Sequence, residues 1–264
     1  MTERRSVRGV GIALALVVAA TAVAAVPAPA DDAAVAAREV ARKWGDAVVT
    51  LKVVVKTRWV AEGRQEDESE GTGEVNATII DPSGLMVCSL NQVDPSLRME
   101  DVGEEEGFRM EAEVTSIHII RPDGKELPAK VVLRDKELDL AFIRPTGPLP
   151  GAPVAVDLSA SAQPEPLDQV VVLGRMGQIG SRTPTVTLDR LSAVIERPRK
   201  LYTVGLSAYY GGLGCPAFTL DGRLVGITFM RSAPRAADDE GRSGAMPVIL
   251  PAAQIAEVAA QAPK

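Results

Sequence analysis

Short runs of apolar and β-branched residues, separated by turn residues, recur along most of the chain. Turns that contain Gly with Pro or Asp lie at 81–84, 121–124 and 220–222, each between apolar or alternating runs, as at the tips of β-hairpins. The first strand is predicted over the β-branched run 47–56. Further strands are predicted at 75–80, 85–90, 112–121, 126–134, 139–144, 169–174, 184–196, 200–206, 216–220 and 223–230. The pattern therefore predicts an all-β protein.

Other segments depart from the strand pattern. Residues 33–44 and 251–262 have Ala-rich, helically spaced apolar positions, which predict a helix at each end of the folded region. Glu62–Gly73 and Glu100–Gly107 are acidic and contain glycine, so they are predicted to be solvated loops. Residues 145–166 are rich in Pro, Gly, Ala and Ser, which predicts a linker between two β units.

The first 30 residues have the composition of an export signal. Three arginines precede an uncharged Ala/Val/Leu run over 10–26, and Ala28-Pro29-Ala30 offers small residues at a cleavage site. The alternative is an uncleaved membrane anchor, for which the apolar run is at the short end. Residues 1–30 are therefore predicted to be a signal peptide, and the protein to be exported to the periplasm or the extracellular space.

Charge and composition exclude several functions. The formal net charge is −6, and −8 without residues 1–30, which carry three arginines and one glutamate. Nucleic acid and anionic membranes require a cationic face, so neither is an expected partner, unless an uncleaved N-terminal segment holds the protein at a membrane. The single histidine, His118, and two cysteines have no metal-ligand spacing, so no metal and no cofactor are expected. His118 lies in a strand pattern and is expected to be a structural residue.

The segment Gly211-Gly-Leu-Gly-Cys-Pro216 and the hairpin after it resemble the nucleophile loop of trypsin-like serine peptidases, nearest the HtrA/DegP type. Further segments resemble that family in the same order, at 79–87, 122–132, 135–144, 167–174, 185–193 and 244–247. The resemblance covers about residue 38 to the C-terminus. It implies two six-stranded β-barrels with short terminal helices: residues 31–145, a linker 146–166, and residues 167–264. No peptide-tethering PDZ domain is expected.

The resemblance also assigns the triad positions, and two of the three lack the required chemistry. Asn91 lies at the histidine position (Gln92, if one residue is inserted), Asp139 at the aspartate and Leu213 at the serine. An amide is no base at neutral pH and a leucine is no nucleophile. An oxyanion-hole-like pair of backbone N–H groups, those of Gly211 and Leu213, is expected to persist. The expectation is a pseudopeptidase that binds without cutting, in which Asp139 is a structural carboxylate.

Other residues near these positions have expected roles by the same resemblance. Tyr209, Tyr210 and Gly212 are candidates for lining a peptide groove. Cys88 and Cys215 belong to segments that meet beside the cleft, which suggests a disulfide; the alternative is two buried free thiols. A catalytic Cys215 is a further alternative, although Pro216 follows it directly and a thiolate needs a basic neighbour.

Three functions therefore remain open from the sequence. The first is an inactive homologue that binds an extended peptide or a protein partner in the cleft between the barrels. The second is an active serine endopeptidase with a displaced triad. The third is a structural envelope protein with a vestigial cleft.

Overall fold

Strands make up most of the part of the chain that the structure, a computed structural model, describes: residues 31–61, 64–95, 108–205, 212–232 and 245–263. The α-helices there are α1 (Asp32–Trp44), α2 (Leu90–Val93) and α3 (Ala252–Ala259). The strands are β1 (Val48–Ala61), β2 (Arg64–Ile79), β3 (Met86–Ser89), β4 (Phe108–Ile120), β5 (Glu126–Asp135), β6 (Leu140–Pro145), β7 (Gln169–Arg175), β8 (Pro184–Ile195), β9 (Leu201–Val204), β10 (Pro216–Thr219), β11 (Leu224–Ser232) and β12 (Ala245–Pro251).

The strands form two closed antiparallel barrels of six strands each. The first barrel has the order β1-β2-β3-β6-β5-β4, and the second has the order β10-β11-β12-β9-β8-β7. Both lie within one compact unit, Asp31–Lys264. The all-β, two-barrel fold with a helix near each end is confirmed.

The strands that face the other barrel are buried on both sides, which explains their continuous apolar runs. In β6, Ala141 and Ile143 point into a first-barrel core, whereas Leu140 and Phe142 belong to a middle core that also contains residues of the second barrel. Successive side chains of a strand point to opposite faces, so a strand between two cores has no polar face. A third, second-barrel core is separate from both.

Helices α1 and α3 cover the middle core. Asp31 caps α1 by accepting a hydrogen bond from the Ala33 N–H at 3.1 Å. At the other end of α1, Trp44 stacks on Phe218 of β10, with ring centroids 5.8 Å apart and planes 8° apart. In α3, Ile255 is fully buried in the same core. Among the described residues, no helix has the length and apolar character needed to cross a membrane.

The prediction of a solvated loop over Glu62–Gly73 was wrong. Residues from Arg64 onward are the first half of β2, paired in antiparallel register with β1. Glu68 lies 2.6 Å from the Lys56 ammonium and 3.2 Å from the Arg58 guanidinium, so cross-strand ion pairs replace the apolar alternation that marks a half-buried strand. A strand with polar residues on both faces carries no periodic signal in the sequence.

The segment between β6 and β7 carries no helix or strand, and both barrels hold it. The Val156 N–H donates to Ile79 O at 2.9 Å, and the Ala162 N–H donates to Leu224 O at 2.7 Å. The predicted signal peptide, 1–30, and the predicted acidic loop, Glu100–Gly107, lie outside the described residues.

Candidate functional site

Asp139 is a buried carboxylate at the point where the turn after β5 enters β6. Its side chain accepts hydrogen bonds from Ser89 Oγ at 2.7 Å and from the Asn91 N–H at 2.8 Å. The Leu90 N–H donates to the Asp139 carbonyl at 2.9 Å. Asp139 is only 4% exposed and has a φ of 60°, in the left-handed region. These hydrogen bonds, to the side chain and to the carbonyl of Asp139, therefore hold the residue in a backbone conformation that non-glycine residues rarely adopt.

Asn91 and Asp139, two of the predicted triad positions, are brought together. Asn91 lies on α2, directly after β3, and this half-buried residue sits beside the carboxylate that its own N–H contacts. A buried anion is stabilised by such donors, so this arrangement fixes α2 to the turn before β6.

The loop 212–215, which precedes β10, is fixed to strand β11. The Gly214 N–H donates to Thr228 O at 2.7 Å, and the Thr228 N–H donates to Cys215 O at 2.9 Å. The Thr228 hydroxyl accepts from the Cys215 N–H at 3.1 Å. Leu213 lies within this loop and is 9% exposed. The residue at the predicted serine position is therefore a mostly buried hydrocarbon side chain.

The same loop touches the first barrel at Gly214. Thr78 Oγ of β2 donates to Gly214 O at 2.7 Å. A Cβ on Gly214 would lie 2.4 Å from Asn76 O and 3.3 Å from the Cα of Cys88, and its φ is 75°. Glycine is required here because the backbones of the two barrels approach too closely for a side chain.

The structure contradicts the predicted Cys88–Cys215 disulfide, because both residues are free and fully buried. Cys88 packs in the first-barrel core and Cys215 in the second-barrel core, so the two side chains belong to different cores although their segments meet. Burial raises the pKa of Cys215 to about 12, although hydrogen bonds with Asn76 and Thr228 lower this pKa in part. Burial, and then the charge of Asp139, raise the pKa of Cys88. Neither thiol is available as a nucleophile at neutral pH.

The remaining predicted residues lie elsewhere or outside the described residues. Gly212, with a φ of 95°, is in the loop beside Leu213. Tyr209, Tyr210 and Gly211 fall in 206–211 and are not described, so the groove and the oxyanion-like pair stay predictions. His118 is on β4, where its Nδ1 lies 4.0 Å from a Glu126 carboxylate oxygen. Among the described residues no group of acidic, His and Cys side chains is arranged to hold a metal.

Strand β11 pairs with its two neighbours over different lengths. Its pairing with β10 ends at Ile227, whereas its pairing with β12 continues to Ser232.

Sequence reasoning missed the residues that organise this site. Ser89, Thr78 and Thr228 are small polar residues within apolar strands, and all three are buried and hydrogen-bonded. A buried polar residue needs a partner, so a hydroxyl inside an apolar run is the signal that would have indicated them. Their partners are distant in sequence, which is why the signal alone does not identify the contacts.

Comparisons with known proteins agree with this fold. A family model described as trypsin-like peptidase domain matches residues 99–227. The solved structure of the HtrA-type protease AlgW with a decapeptide has a TM-score of 0.55 and 17% identity, covering 85% of this chain and 67% of that chain. No curated protein sequence matches this chain. Residues 99–227 are therefore similar to a trypsin-like peptidase domain, and the two-barrel fold of the chain agrees with that similarity.

Proposed function

We propose that this protein is a non-catalytic member of the trypsin-like peptidase family that binds an extended peptide in the cleft between its barrels. The observation that carries the proposal is the chemistry of the three triad positions: an amide at Asn91, a carboxylate at Asp139 and a buried hydrocarbon at Leu213. Peptide hydrolysis by this mechanism requires a hydroxyl, an imidazole and a carboxylate.

The missing groups remove most of the catalytic power of such a site. Loss of the nucleophile or the base of a serine-peptidase triad costs on the order of a million-fold in rate, which corresponds to about 8 kcal/mol of barrier. Neither cysteine replaces the serine, because both thiols are fully buried and have raised pKa values. Turnover is therefore not the function that these residues favour.

Asp139 fits a structural role in this proposal. Its oxygens accept from Ser89 Oγ and from the Asn91 N–H, so the carboxylate fixes α2 against β6 without an imidazole. Removing such a buried acceptor leaves donors unsatisfied, at about 1–3 kcal/mol each. The retention of an aspartate is thus explained without catalysis.

Binding is supported by the backbone around the loop. The loop 212–215 keeps an ordered conformation that is hydrogen-bonded to β11. Extended peptides bind to β proteins largely through main-chain hydrogen bonds. The AlgW structure with a decapeptide provides a protein of similar fold together with a peptide.

The proposal also includes export of the protein from the cytoplasm. The basic start, the apolar run and the small residues at 28–30 favour a cleaved signal peptide and a periplasmic or extracellular location. The N-terminus of protein purified from the exported fraction, read by mass spectrometry, would begin near Asp31. A chain that retains its first residues and sediments with membranes would contradict cleavage.

The central experiment combines activity and binding on the same purified protein. A fluorophosphonate serine probe should not label it, and fluorescein-labelled unstructured decapeptides should bind it saturably in fluorescence anisotropy. Gly212→Val should abolish that binding, because a Cβ there would lie 2.9 Å from Asn76 Nδ2 next to the loop. The control is Gly124→Val, at a position where φ is 79° and a Cβ would have no atom within 4 Å.

The outcomes separate the three functions. Labelling by the probe, or digestion of casein that survives repurification, would overturn the proposal in favour of an active peptidase. Absence of both labelling and peptide binding would leave the structural role. Circular dichroism of both glycine variants verifies that a loss of binding does not arise from unfolding.

A further inference from the structure

A cavity of about 350 Å³ lies between the two barrels, where strand β2 faces the turn that connects β7 and β8. Thr72 and Glu74 of β2 line one side of it, and Gly177, Gln178 and Ile179 of the turn line the other. We call this space the β2 cavity. Ligand sites measure about 300–1,000 Å³, so the β2 cavity is at the small end of that range and suits one side chain of a larger ligand.

The β2 cavity adjoins the loop 212–215 along one face of β2. Glu74 and Asn76 are two residues apart in a strand, so their side chains point to the same face. Asn76 Nδ2 donates to Arg175 O at 3.0 Å, and a Cβ on Gly212 would lie 2.9 Å from the same nitrogen. A peptide that binds beside the loop can therefore place a neighbouring side chain in the β2 cavity.

Glu74 contributes a carboxylate oxygen that lacks a hydrogen bond. Its Oε1 accepts from Nε of Arg182 at 3.1 Å, whereas its buried Oε2 accepts from no group in the part of the chain that the structure describes. A buried acceptor without a donor is unfavourable, and a hydrogen bond made to it is correspondingly strong. The terminal torsion of a glutamate is soft, so a small rotation turns Oε2 towards the cavity. A ligand group that binds here must donate a hydrogen bond.

The opposite wall of the β2 cavity requires an apolar group from the ligand. Ile179 is fully exposed, and Met176 of the same turn is 46% exposed. Covering such side chains with an aliphatic group removes apolar surface from water. Lysine combines both requirements, because its flexible four-carbon stem covers apolar surface while its ammonium group donates up to three hydrogen bonds.

The charges along β2 favour a cation over a neutral donor. Glu68, Glu70 and Glu74 lie at even-numbered positions of the strand, so they share the face that carries the cavity. Lys56 pairs with the first of these carboxylates and Arg182 with the last. The net charge of the chain is −6, and an acidic surface attracts cationic segments and repels anionic ones.

We infer that the β2 cavity binds a lysine side chain of the peptide, whose ammonium group donates to Glu74 Oε2 and whose stem packs on Ile179. The inference rests on the proposed function, since it requires that an extended peptide binds in the cleft between the barrels. Arg182 keeps its bond to the other oxygen of the carboxylate and orients it. Glu74 and Ile179 thus determine specificity for one residue of the ligand.

The test uses three fluorescein-labelled decapeptides that alternate threonine with lysine, with Nε-acetyl-lysine or with glutamate, titrated by fluorescence anisotropy. Acetylation keeps the stem and removes the charge, so it isolates the contribution of the ammonium group. An ionic strength of about 0.15 M screens exposed charges beyond about 8 Å. The lysine peptide should bind about tenfold more tightly than the acetyl-lysine peptide, the effect of one hydrogen bond between charged groups. The glutamate peptide should bind most weakly.

Three variants assign this preference to the β2 cavity. Glu74→Gln should abolish the preference for lysine over acetyl-lysine, because it removes the charge and replaces one acceptor oxygen by a donor. The matched control, Glu257→Gln at an exposed position of α3, removes the same charge from the protein and should leave the preference unchanged. Ile179→Ser should weaken binding of the lysine and acetyl-lysine peptides alike, by about threefold, since both present the same stem. Ile179 is fully exposed, so this variant should fold as the wild type does.

Arg182→Gln distinguishes recognition by Glu74 from a purely structural clamp. If Glu74 only holds the turn between β7 and β8 through Arg182, loss of either partner should have the same effect on binding. If Glu74 binds the ligand, Arg182→Gln should keep the preference for lysine at least as large as in the wild type, because the carboxylate remains.

Each outcome decides a different statement. Equal affinity for the lysine and acetyl-lysine peptides, or a preference that survives Glu74→Gln, would overturn the lysine site while leaving peptide binding in place. Loss of the preference in Arg182→Gln would overturn it in favour of the clamp. If none of the three peptides binds, the proposed function itself fails, and the inference fails with it.

Discussion

Gly214 offers the sharpest test of how the two barrels meet at the site. Replacing it with alanine places a Cβ 2.4 Å from Asn76 O, a backbone atom that cannot rotate away. The backbone of Gly214 also has a φ of 75°, which alanine adopts at a cost. Gly214→Ala is therefore destabilising for two separate reasons, the steric overlap with Asn76 O and the left-handed backbone conformation.

Gly151 separates these penalties because it has the same φ, 75°, and no atom within 4 Å of a Cβ. Gly151→Ala should cost about 1–2 kcal/mol of unfolding free energy, the penalty of a left-handed conformation alone. Gly214→Ala carries that penalty and, in addition, about 1–3 kcal/mol for forced displacement of packed backbone. We expect the second variant to lose about 2–5 kcal/mol in total.

The free energies are measured by urea unfolding followed by circular dichroism and linear extrapolation. Native stabilities are about 5–15 kcal/mol, so Gly151→Ala should remain folded, whereas Gly214→Ala should be markedly weakened. Equal losses in the two variants would refute the close approach of the barrels at Gly214. Peptide anisotropy on the same samples should show weaker binding only for Gly214→Ala.

Two further predictions concern the chemistry of the site. The double variant Asn91→His/Leu213→Ser should gain labelling by a fluorophosphonate probe, because Asp139 is in place to orient an imidazole. Both single variants should stay unlabelled. A double variant that is folded but unlabelled would contradict the assignment of these positions. For the buried cysteines, folding keeps the thiols protonated, because burial raises the pKa of Cys215 from 9.0 to about 12 and also raises that of Cys88. The unfolded chain ionises both thiols near pH 9, so the contribution of the cysteines to stability should be constant below about pH 9 and should fall as the pH rises towards 12. The measurement is the urea midpoint as a function of pH, for the wild type and for a variant in which both cysteines are replaced by alanine. Identical alkaline profiles of the two proteins would exclude the cysteines as the cause of the loss of stability.

The conformation of the loop 212–215 does not depend on the side chain at position 213. The loop is held by hydrogen bonds with Thr78 and Thr228, neither of which involves that side chain. The loop backbone is therefore fixed without a hydroxyl at this position.

Much of the fold follows from local sequence signals. The Gly-containing turns and the β-branched runs predicted most strands within a few residues, because turn chemistry and side-chain alternation act over neighbouring residues. Strands β6 and β7 were recognisable from continuous apolar runs. The first half of β2 was missed, since ion pairs with β1 stabilise it instead of an apolar face.

The sequence by itself determined which chemical groups stand at the positions that the resemblance predicts for a triad: an amide at Asn91, a carboxylate at Asp139 and a hydrocarbon at Leu213. Only the tertiary structure decided where the side chains point. Cys88 and Cys215 lie on segments that meet, yet they pack in different cores. Ser89 reaches Asp139, and Arg231 reaches Glu137, across long separations in sequence. Such contacts arise when barrels close and pack against each other, and the packing depends on the whole chain, whereas a sequence pattern reports only on its neighbours.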